Sequence, residues 1–279
     1  MIQQETIRSL FVEMTFQDTV LSKGTAFILD TKDGPHLITN RHNVTGRHQE
    51  TGAPLSATCG IPDAIVITHN SIKGIGQYIK KKEPLYNGEE PLWIEHPTLK
   101  GRADFVALRL LDLHDVALHP YPIHPHPSEV NVSPADVVSV IGFPFGIKAG
   151  GQMAVWSSGF IASEPEMDYD DLPVVLIDCR SRQGQSGSPV ILYRSGGAIA
   201  LKNGSTGISA GSFSELIGIY SGRIHKDSDL GMVWKMRAIR QLVSSINARS
   251  KLISTKFGSF SASGVIGEGG SINWKLPRP

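Results

Sequence analysis

Two cysteines, Cys59 and Cys179, are all that the 279 residues contain. They can form one bridge at most, and the N-terminus shows no basic region followed by an apolar stretch of secretory length, so both are expected to stay reduced. No apolar run approaches the length that crosses a bilayer, which leaves a membrane span without support. Charge of one sign is also lacking: 27 Lys and Arg stand against 26 Asp and Glu, a net +1. That balance predicts neither nucleic acid nor membrane as the main partner. No glycine-rich phosphate loop follows a strand and opens a helix, so nucleotide use has no motif behind it. Internal sequence repeats are absent. The expected location is the cytoplasm.

What the chain does have is turn chemistry. Its 29 glycines and 17 prolines, with 40% hydrophobic content, suit many short strands better than a helical bundle. The length allows one large β domain or two packed barrels.

The most informative stretch is Gly184-Gln185-Ser186-Gly187-Ser188-Pro189-Val190, followed by the apolar Ile191-Leu192-Tyr193. A serine hydroxyl attacks only when a base takes its proton and donors receive the charge of the adduct. Glycines beside it let backbone amides converge near the hydroxyl. Taken alone, such a run is also an ordinary loop. Upstream, Gly24–Asp30 reads as a strand, Asp33-Gly34 as a hairpin turn, and His36–His42 as the returning strand with His42 at its end. A single histidine is commonly a surface or core residue, although its unperturbed pKa suits a base at neutral pH. Asp104 opens the apolar run Phe105–Leu110. It caps the preceding turn, or it accepts an imidazole N–H and holds the tautomer.

The order His42, Asp104, Ser186, each with a strand beside it, resembles the trypsin-like (chymotrypsin-fold) serine peptidases, in particular the bacterial HtrA and glutamyl-endopeptidase branches. The residues that carry the likeness are Gly24–Leu29, Thr39–Val44, Asp104–Leu108 and Gly184–Val190, with Leu216–Gly222 similar to the strand that binds substrate backbone and Gly231–Trp234 similar to the last strand. The resemblance spans about residues 15–248 and implies an all-β fold of two six-stranded antiparallel barrels with a C-terminal helix. It also implies His42 as general base, Asp104 as its orienter, Ser186 as nucleophile, and the Gly184 and Ser186 amides as the oxyanion hole. Substrate would lie against Arg180, Gln183, Tyr220, Ser221, Gly222 and Arg223, with no metal or organic cofactor required. Gln185 stands where animal members carry the aspartate that pairs with a newly cut N-terminus, so that activation route is expected to be missing. Ser188 replaces the commoner glycine, as in the glutamyl-endopeptidase branch, and Arg41 places a bulky cation before the histidine.

Along the chain, Met1–Val12 reads as a short amphipathic lead-in with Ile7, Leu10 and Phe11 on one face. The first barrel is expected over about 15–120 and the second over about 135–235, the prolines of Pro120–Pro134 marking the crossover. Lys73–Lys100 reads as a hairpin-bearing excursion whose Lys80-Lys81-Lys82 run is a solvated loop rather than a recognition patch. A helix is expected from about Met236 to Ala248, followed by a Gly/Ser-rich basic tail, 249–279, flexible or strapped on the surface. No PDZ-type domain is expected after residue 248.

His114, His119, His124 and His126 invite a metal reading, but prolines separate them and they lack the clustering of zinc sites, which favours a surface loop. Arg180, at the expected base of the substrate pocket, would disfavour Lys or Arg in the substrate and favour an acidic side chain, unless it points outward or pairs with Asp178. The reading with most support is a serine endopeptidase acting on peptides or proteins, with an activating partner left open. A latent or non-cleaving peptide-binding module on the same fold is the alternative. An esterase or transacylase is weaker, because α/β-hydrolases order the acid after the serine and the histidine last.

Overall fold

The structure, a computed structural model, describes residues 2–123 and 128–257, with the side chains of the last helix as far as Lys251. Two β units follow one another along the chain. The first contains α1 (Gln4–Arg8), β1 (Ser9–Phe16), β2 (Thr19–Thr31), β3 (Gly34–Thr39), α2 (Arg41–Thr45), β4 (Ala64–Ser71), β5 (Tyr78–Pro84), β6 (Tyr86–Asn87), β7 (Glu90–Pro91), β8 (Trp93–Glu95), β9 (Val106–Arg109) and β10 (Val116–Ala117). The second contains β11 (Val137–Gly142), β12 (Val155–Ile161), β13 (Val174–Asp178), β14 (Pro189–Arg194), β15 (Gly197–Ala200), β16 (Thr206–Ser209), β17 (Phe213–Arg223), β18 (Leu230–Lys235) and α3 (Met236–Phe257).

In the second unit six strands, β11-β12-β13-β18-β17-β14, close into a barrel, while β15 and β16 form a separate hairpin. The first unit has an eight-stranded sheet in the order β10-β4-β1-β2-β3-β9-β8, with β5 beside β4. It therefore carries two strands more than the six expected. The chymotrypsin-like, all-β fold stands, and the Asp33-Gly34 hairpin joins β2 to β3 with Gly34 at φ 94°.

Three cores hold these units. Leu10, Val12, Met14, Ile28 and Ile65 fill the first, and Val138, Val140, Ile177, Val190 and Val233 fill the second barrel. Between them lies a third, in which Phe11, Phe27 and Phe105 from the first unit meet Ile141, Phe143, Ile219 and Trp234 from the second. Helix α3 seals it with Ala238, Ile239, Leu242, Val243 and Ile246, the spacing of one helical face.

Three expectations need correction. The lead-in is helical only over Gln4–Arg8, and from Ser9 it is a strand. Leu10, Val12 and Met14 face one core and Phe11 the other, a period of two that a buried strand demands. The lysine run is not a loop: it lies in β5, paired with β4, and its ammonium groups meet Glu13, Asp112 and Asp18. Lysines on an outer strand discourage edge-to-edge association. The final helix continues past Ala248 to Phe257, with no glycine or proline in the sequence before Gly258. Arg41, the cation before the histidine, pairs with Glu95 at 2.9 Å. Residues 258–279, His124 and His126 lie outside the described residues. Among the described residues no group of His, Cys, Asp and Glu is placed to hold a metal ion.

Candidate active site

His42 sits in α2, a single turn that begins as β3 ends. Asp104 lies immediately before Phe105, whose ring packs 5.5 Å from Trp234 in the central core. That anchor buries Asp104 to 2% exposure, where a carboxylate needs partners for its oxygens. It has three. Oδ1 accepts the His42 backbone N–H at 3.0 Å, Oδ2 accepts from His42 Nδ1 at 2.7 Å, and Oδ2 also accepts the hydroxyl of Ser221. Among the described residues the carboxylate makes no bond to the turn that precedes it; it holds the His42 backbone and orients the ring. A carboxylate can only accept, so Nδ1 carries a proton, and in the neutral ring the lone pair falls on Nε2. Asn40 Nδ2 donates to the Asp104 carbonyl at 2.6 Å and fixes the backbone on the other side.

The loop bearing Ser186 is held from both units. Thr25 N–H donates to the Ser186 carbonyl at 2.9 Å, and Asn43 Nδ2 reaches the same oxygen at 3.3 Å. Thr25 Oγ1 donates to the Gly184 carbonyl at 2.8 Å and accepts the Phe143 amide at 3.2 Å. Gly184 has φ 95°, and a Cβ there would strike the Phe143 carbonyl, so no other residue fits without a shift. The Gln183 carbonyl accepts from Phe145 N at 2.6 Å. Because C=O and N–H of one peptide point in opposite directions, this turns the Gly184 N–H away from Phe145. Among the described residues neither the Gly184 nor the Ser186 amide donates a hydrogen bond within the chain. Gln185 is fully buried: its Oε1 accepts Arg182 N at 2.7 Å and its Nε2 donates to Ser157 at 2.9 Å.

His42, Asp104 and Ser186 line one cleft of about 810 Å³, together with Ser221, Gly222 and Arg223 from β17. Residues 48–50 and the segment containing Tyr169 and Asp170 are among its other lining residues, and nothing in those residue types marked them in the sequence. Among the described residues no hydrogen bond joins His42 to the Ser186 hydroxyl.

The other expected substrate residues are not brought there. Arg180 is 85% exposed on its side chain and lies 3.8 Å from Asp229, which also has Arg182 at 3.6 Å. The expected pocket-base cation is therefore a surface residue, since hydration and Asp229 outweigh burial of a charge without a partner. Gln183 is exposed, with only its carbonyl engaged. Tyr220 is buried and its hydroxyl meets that of Ser181. Thr25, Asn40 and Asn43 were missed as supports of the site. Their one visible signal was a polar side chain within or beside the motif that carries His42 or at the start of the strand before it.

A family profile described as "Trypsin-like peptidase domain" matches residues 24–201. The chain belongs to the trypsin-like serine peptidases. That family consists of hydrolases acting on peptide bonds, and the match contains His42, Asp104 and Ser186 in order. Among solved structures, this trypsin-like chain is similar to a serine endoprotease from Yersinia pestis, at 14% identity and a TM-score of 0.52, over 88% of this chain and 66% of that one. It therefore spans a little under two thirds of the Yersinia protein, and the likeness extends to the fold. A protease from M. tuberculosis in its active form matches at 16% identity and a TM-score of 0.46, over 87% of this chain and 82% of that one. A comparison with curated proteins finds no match.

Proposed function

We propose that the chain is a serine endopeptidase that cuts peptides or proteins through His42, Asp104 and Ser186. The observation that carries this reading is the bond from His42 Nδ1 to a buried Asp104, in a cleft that also holds Ser186. With Nδ1–H engaged, the Nε2 lone pair takes the Ser186 proton as Oγ attacks the peptide carbonyl. The Gly184 and Ser186 amides, neither of which donates a hydrogen bond within the chain among the described residues, are the donors that would hold the oxyanion. His42 then protonates the leaving amine, and water, activated by the same Nε2, attacks the acyl-enzyme and releases Ser186.

Past Tyr220, β17 pairs with β18 alone. Its Ser221–Arg223 edge is open for an extended substrate to add as a strand, with main-chain hydrogen bonds holding it over Ser186. Gln185 braces the nucleophile loop from within, which supports a site that needs no newly cut N-terminus. Cys59 and Cys179 are both free thiols, which fits a reducing compartment such as the cytoplasm. Among the described residues no helix is long and apolar enough to cross a membrane.

One observation favours the second reading, a latent or non-cleaving module: the missing hydrogen bond from His42 to the Ser186 hydroxyl. Such bonds are often long without substrate and tighten in the complex. Peptide hydrolysis by the purified chain, compared with Ser186→Ala of unchanged melting temperature, separates the two. Turnover that disappears in the variant supports the peptidase, and turnover equal in both contradicts it.

A further inference from the structure

The peptidase reading leaves open which side chain a substrate presents beside Ser186, and the placement of Tyr220 bears on that question. Its backbone is locked to the nucleophile loop: Tyr220 N–H donates to Ser188 O at 2.9 Å, and its carbonyl accepts from Gly187 N at 3.0 Å. The next residues, Ser221 to Arg223, form the cleft wall. By the family resemblance, a substrate strand laid on that wall with its carbonyl at Ser186 would direct the side chain on the acyl side of the scissile bond between β17 and the segment Cys179–Gln183.

That space is already filled. The Tyr220 ring is only 2% exposed and lies across Gly231 of β18, where a Cβ would come 2.6 Å from Cε2. Its hydroxyl reaches the Ser181 hydroxyl on the facing segment. Ser181 is itself fully buried. The phenol therefore bridges the two walls, with its polar end satisfied and the residue part of the barrel core that also holds Cys179, Val190 and Val233. Gly231 is the residue that makes room for it. Drawing the ring out would cost its packing and leave the buried Ser181 hydroxyl without this partner. No residue from Cys179 to Gln183 lines the cleft, as expected if the ring shuts that wall off.

We propose that Tyr220 occupies the pocket next to Ser186, so that the chain cuts after small residues (glycine, alanine or serine) and rejects aromatic, long aliphatic and charged ones. The proposal rests on the peptidase reading. It replaces the acidic preference that Arg180 implied with a steric one.

The test compares kcat/KM for matched peptides that differ only in having Ala, Phe, Lys or Glu before the scissile bond. Wild type should favour Ala over each of the others by about 100-fold or more, the scale at which a closed pocket discriminates. Tyr220→Val should collapse the Ala/Phe ratio by at least about tenfold, and Tyr220→Phe, which keeps the ring, should preserve it. Wild-type rates for Phe, Lys or Glu equal to the rate for Ala would overturn the proposal, as would a ratio unmoved by Tyr220→Val. The wild-type comparison stands by itself should that variant fail to fold. Fluorophosphonate labelling of Ser186, run alongside, tells the two failures apart. Labelling without Ala selectivity removes the pocket proposal alone, whereas no labelling removes the catalytic reading beneath it.

Discussion

Ser221 donates its hydroxyl to Asp104 across the boundary between the two β units, at the same carboxylate oxygen that holds the His42 ring. The bulge in β17 between Tyr220 and Gly222 turns Ser221 toward Asp104 instead of along the ladder. Asp104 is thereby pinned from both sides. Ser221→Ala is expected to lower kcat/KM about tenfold, because a hydrogen bond to a charged group is worth about 1.5–3 kcal/mol and part of that is lost orientation. Ser221→Thr, which keeps the hydroxyl, should recover most of the loss. Steady-state kinetics with melting temperatures checks this, and an equal loss in both variants would mean that Ser221 acts only through packing.

Gly184→Ala should be far more damaging to turnover than to stability. Its φ of 95° disfavours a side chain, and the added methyl would meet the Phe143 carbonyl, forcing the 183–184 peptide to rotate. Rotation would remove one of the two proposed oxyanion donors, with an expected loss of about 10²–10³ in kcat. Kinetics with little change in KM is the expected result.

Thr25 ties the first unit to the loop of the second through Gly184 and Phe143. Thr25→Val keeps the shape and the backbone bond to Ser186 but deletes both side-chain bonds, leaving the buried Gly184 carbonyl short of a donor. A destabilisation of about 1–3 kcal/mol is expected by denaturant unfolding, with a parallel fall in kcat. Loss of stability with full kcat would show that the loop holds its shape without Thr25.

His69 gives the protein a pH dependence unrelated to catalysis. It is 1% exposed, both ring nitrogens lack partners among the described residues, and burial, with Lys81 adding to it, lowers its pKa to about 4. The unfolded chain binds a proton at this residue below its ordinary pKa of 6.5, while the folded chain does not until about pH 4. Stability should therefore fall as pH drops from 6.5 toward 4, by on the order of 3 kcal/mol. His36 and His96, each lowered chiefly by burial, add to the same slope. His69→Leu should flatten it in unfolding measurements across that range, and an unchanged slope would place the effect elsewhere.

The sequence made the fold class readable because its turns and motifs are local: Asp33-Gly34, the glycines around Ser186, and a histidine and an aspartate each beside an apolar run. The meeting of His42 with Asp104 followed from the motif order. What stayed hidden depends on contacts distant in sequence. Lys80–Lys82 read as a loop because charge runs commonly are, and only pairing with β4 and the acids at Glu13, Asp18 and Asp112 makes them a strand. Leu10 and Phe11 suggested a helical face because two cores, one on each side of β1, both demand apolar residues. Arg180 was assigned to a pocket by position alone, and Asp229, which draws it outward, lies far along the chain. The hydroxyls of Ser221 and Tyr220 were equally opaque, since their partners Asp104 and Ser181 become neighbours only when the strands assemble.

The most direct test of the account is the site of covalent modification by a fluorophosphonate on the purified chain, located by peptide mass spectrometry. The account predicts a single adduct on Ser186, abolished in Ser186→Ala and reduced by several orders of magnitude in rate in His42→Ala, with melting temperatures close to wild type. A folded chain that forms no adduct, or one modified equally well without His42, would contradict it.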